Sequence, residues 1–420
     1  MNSSLASPSY PAVPAGTIVP RPNFRPQCLT FCAAEDHPSI VVKRNYRREW
    51  KVNFELNEDE EMLKALTERF VVDHYDHDSR RAFLSEPNGF SRKNWDFLGE
   101  LGLIAAPFPE ELGGLGLDGT AIATVFEALG HGLVVEPLAE NVVLAGRLFA
   151  LTAPEDLKAE WIEDLLTGTR RLALAHAEAG TRDGLIWVET KANADGGSYR
   201  ITGSKPYCIA GGGADGYIVS ARVSGAPGDR DGAELFFVPA DAEGLKTRDW
   251  PLADGSVATD ITLDDVVATR LEGGLGALAE AEQVATLARS AEALGIMARI
   301  FEETIEYLRT RDQFGVPLGS FQAIQHRMVA QYAAIERSRA LLNLALVSWG
   351  TDDFARNVQG ARAFIADASV TLGHEMIQFH GGMGVTDELA VGGGHKRLLV
   401  LSRWPEPAQS ALDRFAGLLH

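Results

Sequence analysis

Arg311, Gln313 and Phe314 stand together in the run Tyr307–His326, which reads YLRTRDQFGVPLGSFQAIQH. A guanidinium presents planar donors suited to a pyrophosphate, and here an amide and an aromatic ring share its loop. The same residues also fit an ordinary helix junction, with a solvated arginine and a phenylalanine plugging the corner. A second stretch, Gln378–Thr386 (QFHGGMGVT), places three glycines in four positions. Bare backbone amides in such a turn can bind anionic oxygens, although alone it reads as a glycine-rich helix end.

Two long helical patterns must position the first stretch. Val284, Leu287, Ala291, Leu294, Ala298 and Phe301 repeat at three-and-four spacing, which predicts one buried face running into the elbow. Phe321, Ile324, Met328, Tyr332 and Ile335 resume the period after it, with Gly315 and Pro317 as stop signals. The pair reads as an αα-hairpin, and a further helical run, Ala361–Phe379, leads into the glycine turn. Upstream, Phe54 to Gly168 is also helical. Asn57 is placed to cap its first helix, and Leu56, Met62, Leu63, Leu66 and Phe70 make one face. Within it, Gly114-x-Gly116-x-x-Gly119 matches a dinucleotide fingerprint formally. No strand precedes it and no βαβ unit encloses it, so it reads as a structural turn. Near Arg170 the period changes to two, and short β-rich runs predict a compact antiparallel barrel or sandwich of about 100 residues.

Composition narrows the function classes. A chain of 420 residues suggests two or three domains, and 45% apolar residues supply a large core. A formal charge of −19 disfavours nucleic acid, and no window approaches an uninterrupted membrane span. Three cysteines, Cys28, Cys32 and Cys208, imply no disulfide framework and fit a reducing, cytoplasmic setting. Cys28 and Cys32 have no second pair nearby to complete a zinc site, so no metal is expected. Met1 to about Val52 is rich in Pro, Ser and Arg, lacks the apolar core of a secretory signal, and reads as a disordered tail. A di-iron bundle would need paired Glu-x-x-His, and no Glu has a His at that spacing. His326, His374, His380 and His395 therefore read as bundle or loop histidines.

Taken together, RDQFG and QFHGG resemble the paired cofactor motifs of the acyl-CoA dehydrogenase family of flavoproteins, from about Phe54 to the C-terminus. The resemblance implies an α+β fold: an N-terminal all-α domain (54–168), a middle antiparallel β-domain (169–269) and a C-terminal four-helix bundle (270–420), preceded by an extension (1–53). It implies FAD, its pyrophosphate and adenosine held by Arg311, Gln313 and Phe314 of one subunit and Gln378, Gly381 and Gly382 of its neighbour, with His380 beside them. Two β-domain segments would line the flavin ring. In AHAEAGTRDG, Ala177 stands where a flavin-bonding threonine is usual, while Glu178 and Gly180 are kept. In GSKPYCI, Tyr207 replaces a tryptophan and Ile209 a threonine, which leaves backbone amides to serve the ring.

The implied reaction is α,β-desaturation of an acyl-CoA thioester, a carboxylate taking the α-proton while a β-hydride passes to the flavin. The resemblance puts the base near Glu406, here set between Pro405 and Pro407. Some relatives instead carry it on the long helix at Ala285–Leu287, where no glutamate stands. Glu280, Glu282 and Glu292 lie on that helix as well. The runs AHAE, RTRDQFGVPLGSFQAIQHR and HKRL look most similar to the small-subunit group of pimeloyl-CoA dehydrogenase. Expected partners are an acyl-CoA substrate, an electron-transfer flavoprotein as acceptor, and other subunits in a homo- or heterotetramer. Two readings stay open: an acyl-CoA dehydrogenase with Glu406 or another carboxylate as base, or a non-catalytic or half-site subunit of a heteromer sharing one FAD site.

Overall fold

A computed structural model of the chain describes residues 56–180, 185–386 and 388–418. The expectations for Met1–Val52, Cys28 and Cys32 lie outside these residues. The helical region opens with the expected cap: the Asn57 side chain accepts from Glu60 N at 2.9 Å, and the Glu60 carboxylate receives Asn57 N at 2.8 Å. This reciprocal box satisfies two orphan amides of α1 (Glu58–His74) and contributes about 1 kcal/mol. Leu63 and Phe70 face the core from α1, whereas Met62 points to solvent, because the helix buries only a narrow stripe.

Helices α2 (His77–Leu84), α3 (Arg92–Glu100) and α4 (Gly119–His131) follow. After them come a π-helical segment (Leu138–Gly146), α5 (Arg147–Thr152) and α6 (Glu155–Thr167). The glycine fingerprint is a packed turn, since a Cβ on Gly114 would sit 2.1 Å from the Phe108 carbonyl oxygen.

Seven strands form the middle region: β1 (Leu172–Ala175), β2 (Lys191–Asp195), β3 (Ser198–Ile209), β4 (Gly216–Arg222), β5 (Ala233–Pro239), β6 (Leu245–Pro251) and β7 (Val257–Leu271). Pairings β4–β5, β5–β7, β7–β3 and β3–β2 are antiparallel, and β2 touches β4 to close the ring. β6 adds to β7. The departure from an all-antiparallel barrel is β1, which lies parallel to β4, as does the single β2–β4 bridge. The chain makes the β2–β3 hairpin between β1 and β4, so it returns to β4 running in its original direction. Strand β4 is buried at every position because both faces are covered. Tyr217, Val219 and Ala221 fill the barrel, while Ile218 joins the helical core. That two-sided burial welds barrel to helices.

The C-terminal bundle is built on α7 (Gly274–Thr310), a column of 37 residues. It continues with the two-residue strands β8 (Asp312–Gln313) and β9 (Val316–Pro317), then α8 (Gln322–Val347), α9 (Phe354–His380), α10 (Ala390–Arg403) and α11 (Ala408–Gly417). Two glycines let α4 and α7 touch backbone to backbone. A Cβ on Gly130 would lie 2.1 Å from the Glu292 carbonyl oxygen, and one on Gly295 would lie 2.1 Å from that of Glu127. In the run Gly392–Gly394 the closest neighbours are side chains instead, a Cβ on Gly394 falling 2.6 Å from Ile300 and one on Gly393 2.7 Å from Arg80. On α8, Met328 and Ile335 are buried but Tyr332 is exposed, so the expected stripe is only partly covered. Among the described residues, no helix is long and apolar enough to cross a membrane.

Candidate functional site

The elbow differs from a simple helix–helix turn. Helix α7 stops at Thr310, and Phe314 (φ 54°) with Gly315 (φ 82°) forms the two-residue loop of the β8–β9 hairpin. Positive φ at both central residues is the signature of a type I′ turn, and a non-glycine residue there costs about 1 kcal/mol. In return the Phe314 ring is thrown outward and is 91% exposed, beside exposed Arg311 and Gln313. The glycine turn leaves the same end of the bundle. Tyr307, one helical turn before Arg311, stacks on His380 at 4.3 Å between ring centroids. His380 is buried, and its Nδ1 lies 2.9 Å from the Met376 carbonyl oxygen. A Cβ on Gly381 or Gly382 would meet nothing within 4 Å, whereas Gly384 packs against Ile377. Packing therefore does not require the first two glycines, and they leave open space beside exposed Gln378, while the Gly381 N–H donates to the Gln378 carbonyl and caps α9. His374 and His395 pack edge to face at 4.8 Å. Burial, helped by His374, holds the His395 imidazole down at about 4.

The two barrel segments meet around one buried ion pair. Lys205 Nζ on β3 donates to Glu178 Oε1 at 2.5 Å, to Ser220 Oγ at 2.9 Å and to the His176 carbonyl at 3.3 Å. The Glu178 carboxylate also accepts from the Glu189 and Thr190 amides. Burial lowers the Lys205 ammonium to about 8, although Glu178 opposes the shift. Ala177 is half-buried one residue before this clamp. Tyr207 is half-exposed at φ 63°, its ring edge-on to Trp250 at 4.7 Å. Trp250 was invisible as a site residue because it comes from β6, paired through β7. Ile209 is buried, and with Ala210, Phe90, Glu136 and Arg397 it borders a cavity of about 40 Å³. Cys208 is fully enclosed, and burial pushes its thiol well above the usual range.

Glu406 does not face an open cleft. It is 3% exposed, its Oε2 lies 2.7 Å from Arg414 Nη2, and its carbonyl accepts from Arg362 Nη2 at 2.9 Å. The same Arg362 nitrogen donates to the Trp404 carbonyl at 2.8 Å. On α7, Ala285 is fully buried, and Glu280 is exposed. Glu292 is bound by Arg397, Nε to Oε1 at 2.7 Å, and Arg397 also reaches Asp254 at 3.2 Å. Glu282 is paired with Arg289, whose Nε and Nη2 hold Glu140 of the π-helical segment in a fork, both at 2.7 Å. Burial keeps Glu282 above the ordinary carboxylate range even so, because Glu140 shares its guanidinium. Glu140 and Arg289 escaped the sequence reading. The available signal was Glu282 and Arg289, seven residues apart and hence on one helical face, interrupting an apolar stripe.

The profile of the acyl-CoA dehydrogenase N-terminal domain matches residues 57–169, and that of the C-terminal domain matches residues 272–411. The chain is 31% identical over 308 residues to acyl-CoA dehydrogenase FadE27 of Mycobacterium tuberculosis, covering 70% of this chain and 79% of the relative. The chain belongs to the acyl-CoA dehydrogenase family. The ChsE4-ChsE5 complex from Mycobacterium tuberculosis contains a chain with a TM-score of 0.80 and 27% identity, over 88% of this chain and 99% of that one. The Tcur3481-Tcur3483 steroid ACAD superposes with a TM-score of 0.78 at 29% identity, over 86% of this chain and 98% of that one. The family consists of FAD-dependent oxidoreductases acting on acyl-CoA, and the donor set fits such a cofactor. An exposed guanidinium, amide and ring lie at the same bundle end as two glycines with unfilled space beside them.

A second carboxylate, Glu136, is tuned by burial. Tyr75 donates its hydroxyl to Glu136 Oε2, while Oε1 is buried with no hydrogen-bond partner among the described residues. Burial raises the carboxyl from 4.5 to about 7, and the Tyr75 bond only partly opposes this. A folded pKa above the unfolded one means that the folded state holds the extra proton between those values. Stability is therefore fullest below about pH 4.5 and is lost as pH rises through 7, by roughly 3 kcal/mol. Glu136→Gln is expected to remove this component. Urea midpoints at pH 5 and pH 8 check it, and a variant-minus-parent difference independent of pH would contradict it.

Proposed function

We propose that this chain is a half-site subunit of a heteromeric acyl-CoA dehydrogenase. It supplies nucleotide-binding turns to a shared FAD site and leaves α-proton abstraction to a partner subunit. One observation carries the reading: Glu406 is built into a buried, charge-balanced network. Three carboxylates (Glu140, Glu282 and Glu406) interact there with three guanidinium groups (Arg289, Arg362 and Arg414). A base must reach the substrate's α-carbon and exchange a proton, and a carboxylate locked onto Arg414 is poorly placed for either. Ala285 offers no replacement from α7. Two similar solved structures are two-component assemblies, ChsE4-ChsE5 and Tcur3481-Tcur3483, which favours a heteromer.

FAD, when bound, supplies the hydride acceptor for the desaturation. The chain's own residues bind and orient. Arg311 brings donors suited to the pyrophosphate, Gln313 and Gln378 bring amides, and Gly381 and Gly382 leave space for a ligand to approach the backbone closely. The Lys205–Glu178 clamp fixes the wall that carries Ala177 and Tyr207. An electron-transfer flavoprotein is the proposed onward acceptor.

The test is the visible spectrum of the chain purified alone and co-purified with a second acyl-CoA dehydrogenase-like subunit. The chain alone should be colourless or poor in flavin, and the pair should be yellow and bleach with an acyl-CoA. A yellow homo-oligomer that bleaches by itself would overturn the proposal. Within the pair, Glu406→Gln should lower stability by about 1–3 kcal/mol, the half-exposed Arg414 moderating the loss, and change the bleaching rate less than twofold. A thousandfold loss of rate at unchanged stability would instead identify Glu406 as the base.

A further inference from the structure

Arg147 is the exception among the described arginines that are buried or half-buried. Every other described arginine that is buried or half-buried has a hydrogen-bond or ion-pair partner, for example Arg80 with the Leu133 carbonyl and Arg171 with Asn141 and Gly212. Among the described residues Arg147 has none, and its Nε and Nη1 are buried without an acceptor. Burial lowers its pKa, and no carboxylate acts to restore it. An uncompensated buried cation costs several kcal/mol, so a guanidinium held this way is a group awaiting an anion.

The arginine opens onto a cleft of about 440 Å³ between α5 and the first turns of α7, within the range of small-molecule sites. Its walls are apolar: Val143, Leu148, Leu151, Ala281 and Val284. Exposed Glu272 and Glu280 sit on the rim and repel a second negative charge. None of these residues belongs to the nucleotide turns or to the Glu406 network.

We propose that this cleft binds an amphiphilic monocarboxylate, its tail against the aliphatic wall and its carboxylate on Arg147, at a site separate from the flavin turns. A planar carboxylate matches a guanidinium fork, and one charge satisfies Arg147 without meeting both rim acids. Octanoate is the probe, with octanol and suberate as the uncharged and doubly charged controls. Calorimetric titration of the full chain should show octanoate binding at least tenfold tighter than either control. Arg147→Met should weaken octanoate at least tenfold while raising the melting temperature of the unliganded chain, since it deletes an unpaired cation. Leu151→Trp, at an exposed position that tolerates bulk, should block the cleft and abolish binding without unfolding the protein. Equal affinity for octanol, or octanoate binding unchanged in both variants, would overturn the proposal. So would self-association that needs Arg147 and is indifferent to octanoate, which would make the occupant another protein's carboxylate.

Discussion

Gly295→Val leaves no stably folded protein, or at best one weakened by at least about 3 kcal/mol. A Cβ at this position would stand 2.1 Å from the Glu127 carbonyl oxygen and 2.8 Å from the His131 amide nitrogen, both backbone atoms of α4. A flexible side chain can swing aside, but a helix backbone cannot. The only relief is to separate α4 from α7, and that opens a seam containing Phe126, Leu129, Ala291 and Leu294, all of them buried. Gly130 meets the Glu292 carbonyl at the same distance from the other side, so the separation would have to occur along the whole crossing. The expected order is Gly295→Ala damaging and Gly295→Val worse, with Gly130→Val equivalent. Urea unfolding of the three variants checks it, and a Gly295→Val protein within 1 kcal/mol of the parent would refute the backbone-contact argument.

Arg289→Met costs about 3–5 kcal/mol, because it strands two carboxylates in the interior rather than deleting one interaction. Arg289 is fully buried, forks onto Glu140 and reaches Glu282, whereas Arg414 and Arg362 act on Glu282 only through their charge and hydrogen-bond neither acid. Without the arginine, burial would hold the Glu282 carboxyl still further above its unfolded value. The loss should therefore be smallest at low pH, where that group is protonated, and grow as pH rises through its raised value. The companion variant, Arg289→Met with Glu140→Gln and Glu282→Gln, should recover most of the loss. Recovery separates stranded charge from lost packing. A deficit that neither varies with pH nor is restored by the two glutamines would show that the guanidinium acts mainly as filler.

The sequence by itself determined what depends on neighbours a few residues away. Asn57 and Glu60 write a helix start, the three-and-four stripe from Val284 to Phe301 writes α7, and alternation after Arg170 writes the barrel strands. The paired turns at Arg311–Gly315 and Gln378–Gly382 indicated the family, which the domain matches bear out. Tertiary structure decided everything that depends on distant partners. Glu140 and Arg289 are 149 residues apart, and no periodicity announces that they meet. The resemblance put the base near Glu406, yet Arg362 and Arg414 close around that residue from α9 and α11. Gly315 and Pro317 read as helix stops, whereas hydrogen bonding across β8 and β9 makes Phe314 and Gly315 a hairpin tip. Arg147 differs from the other arginines only by what surrounds it. Local spacing records the backbone's short-range preferences, but desolvation and charge pairing are set by whichever residues the completed fold brings within a few ångströms.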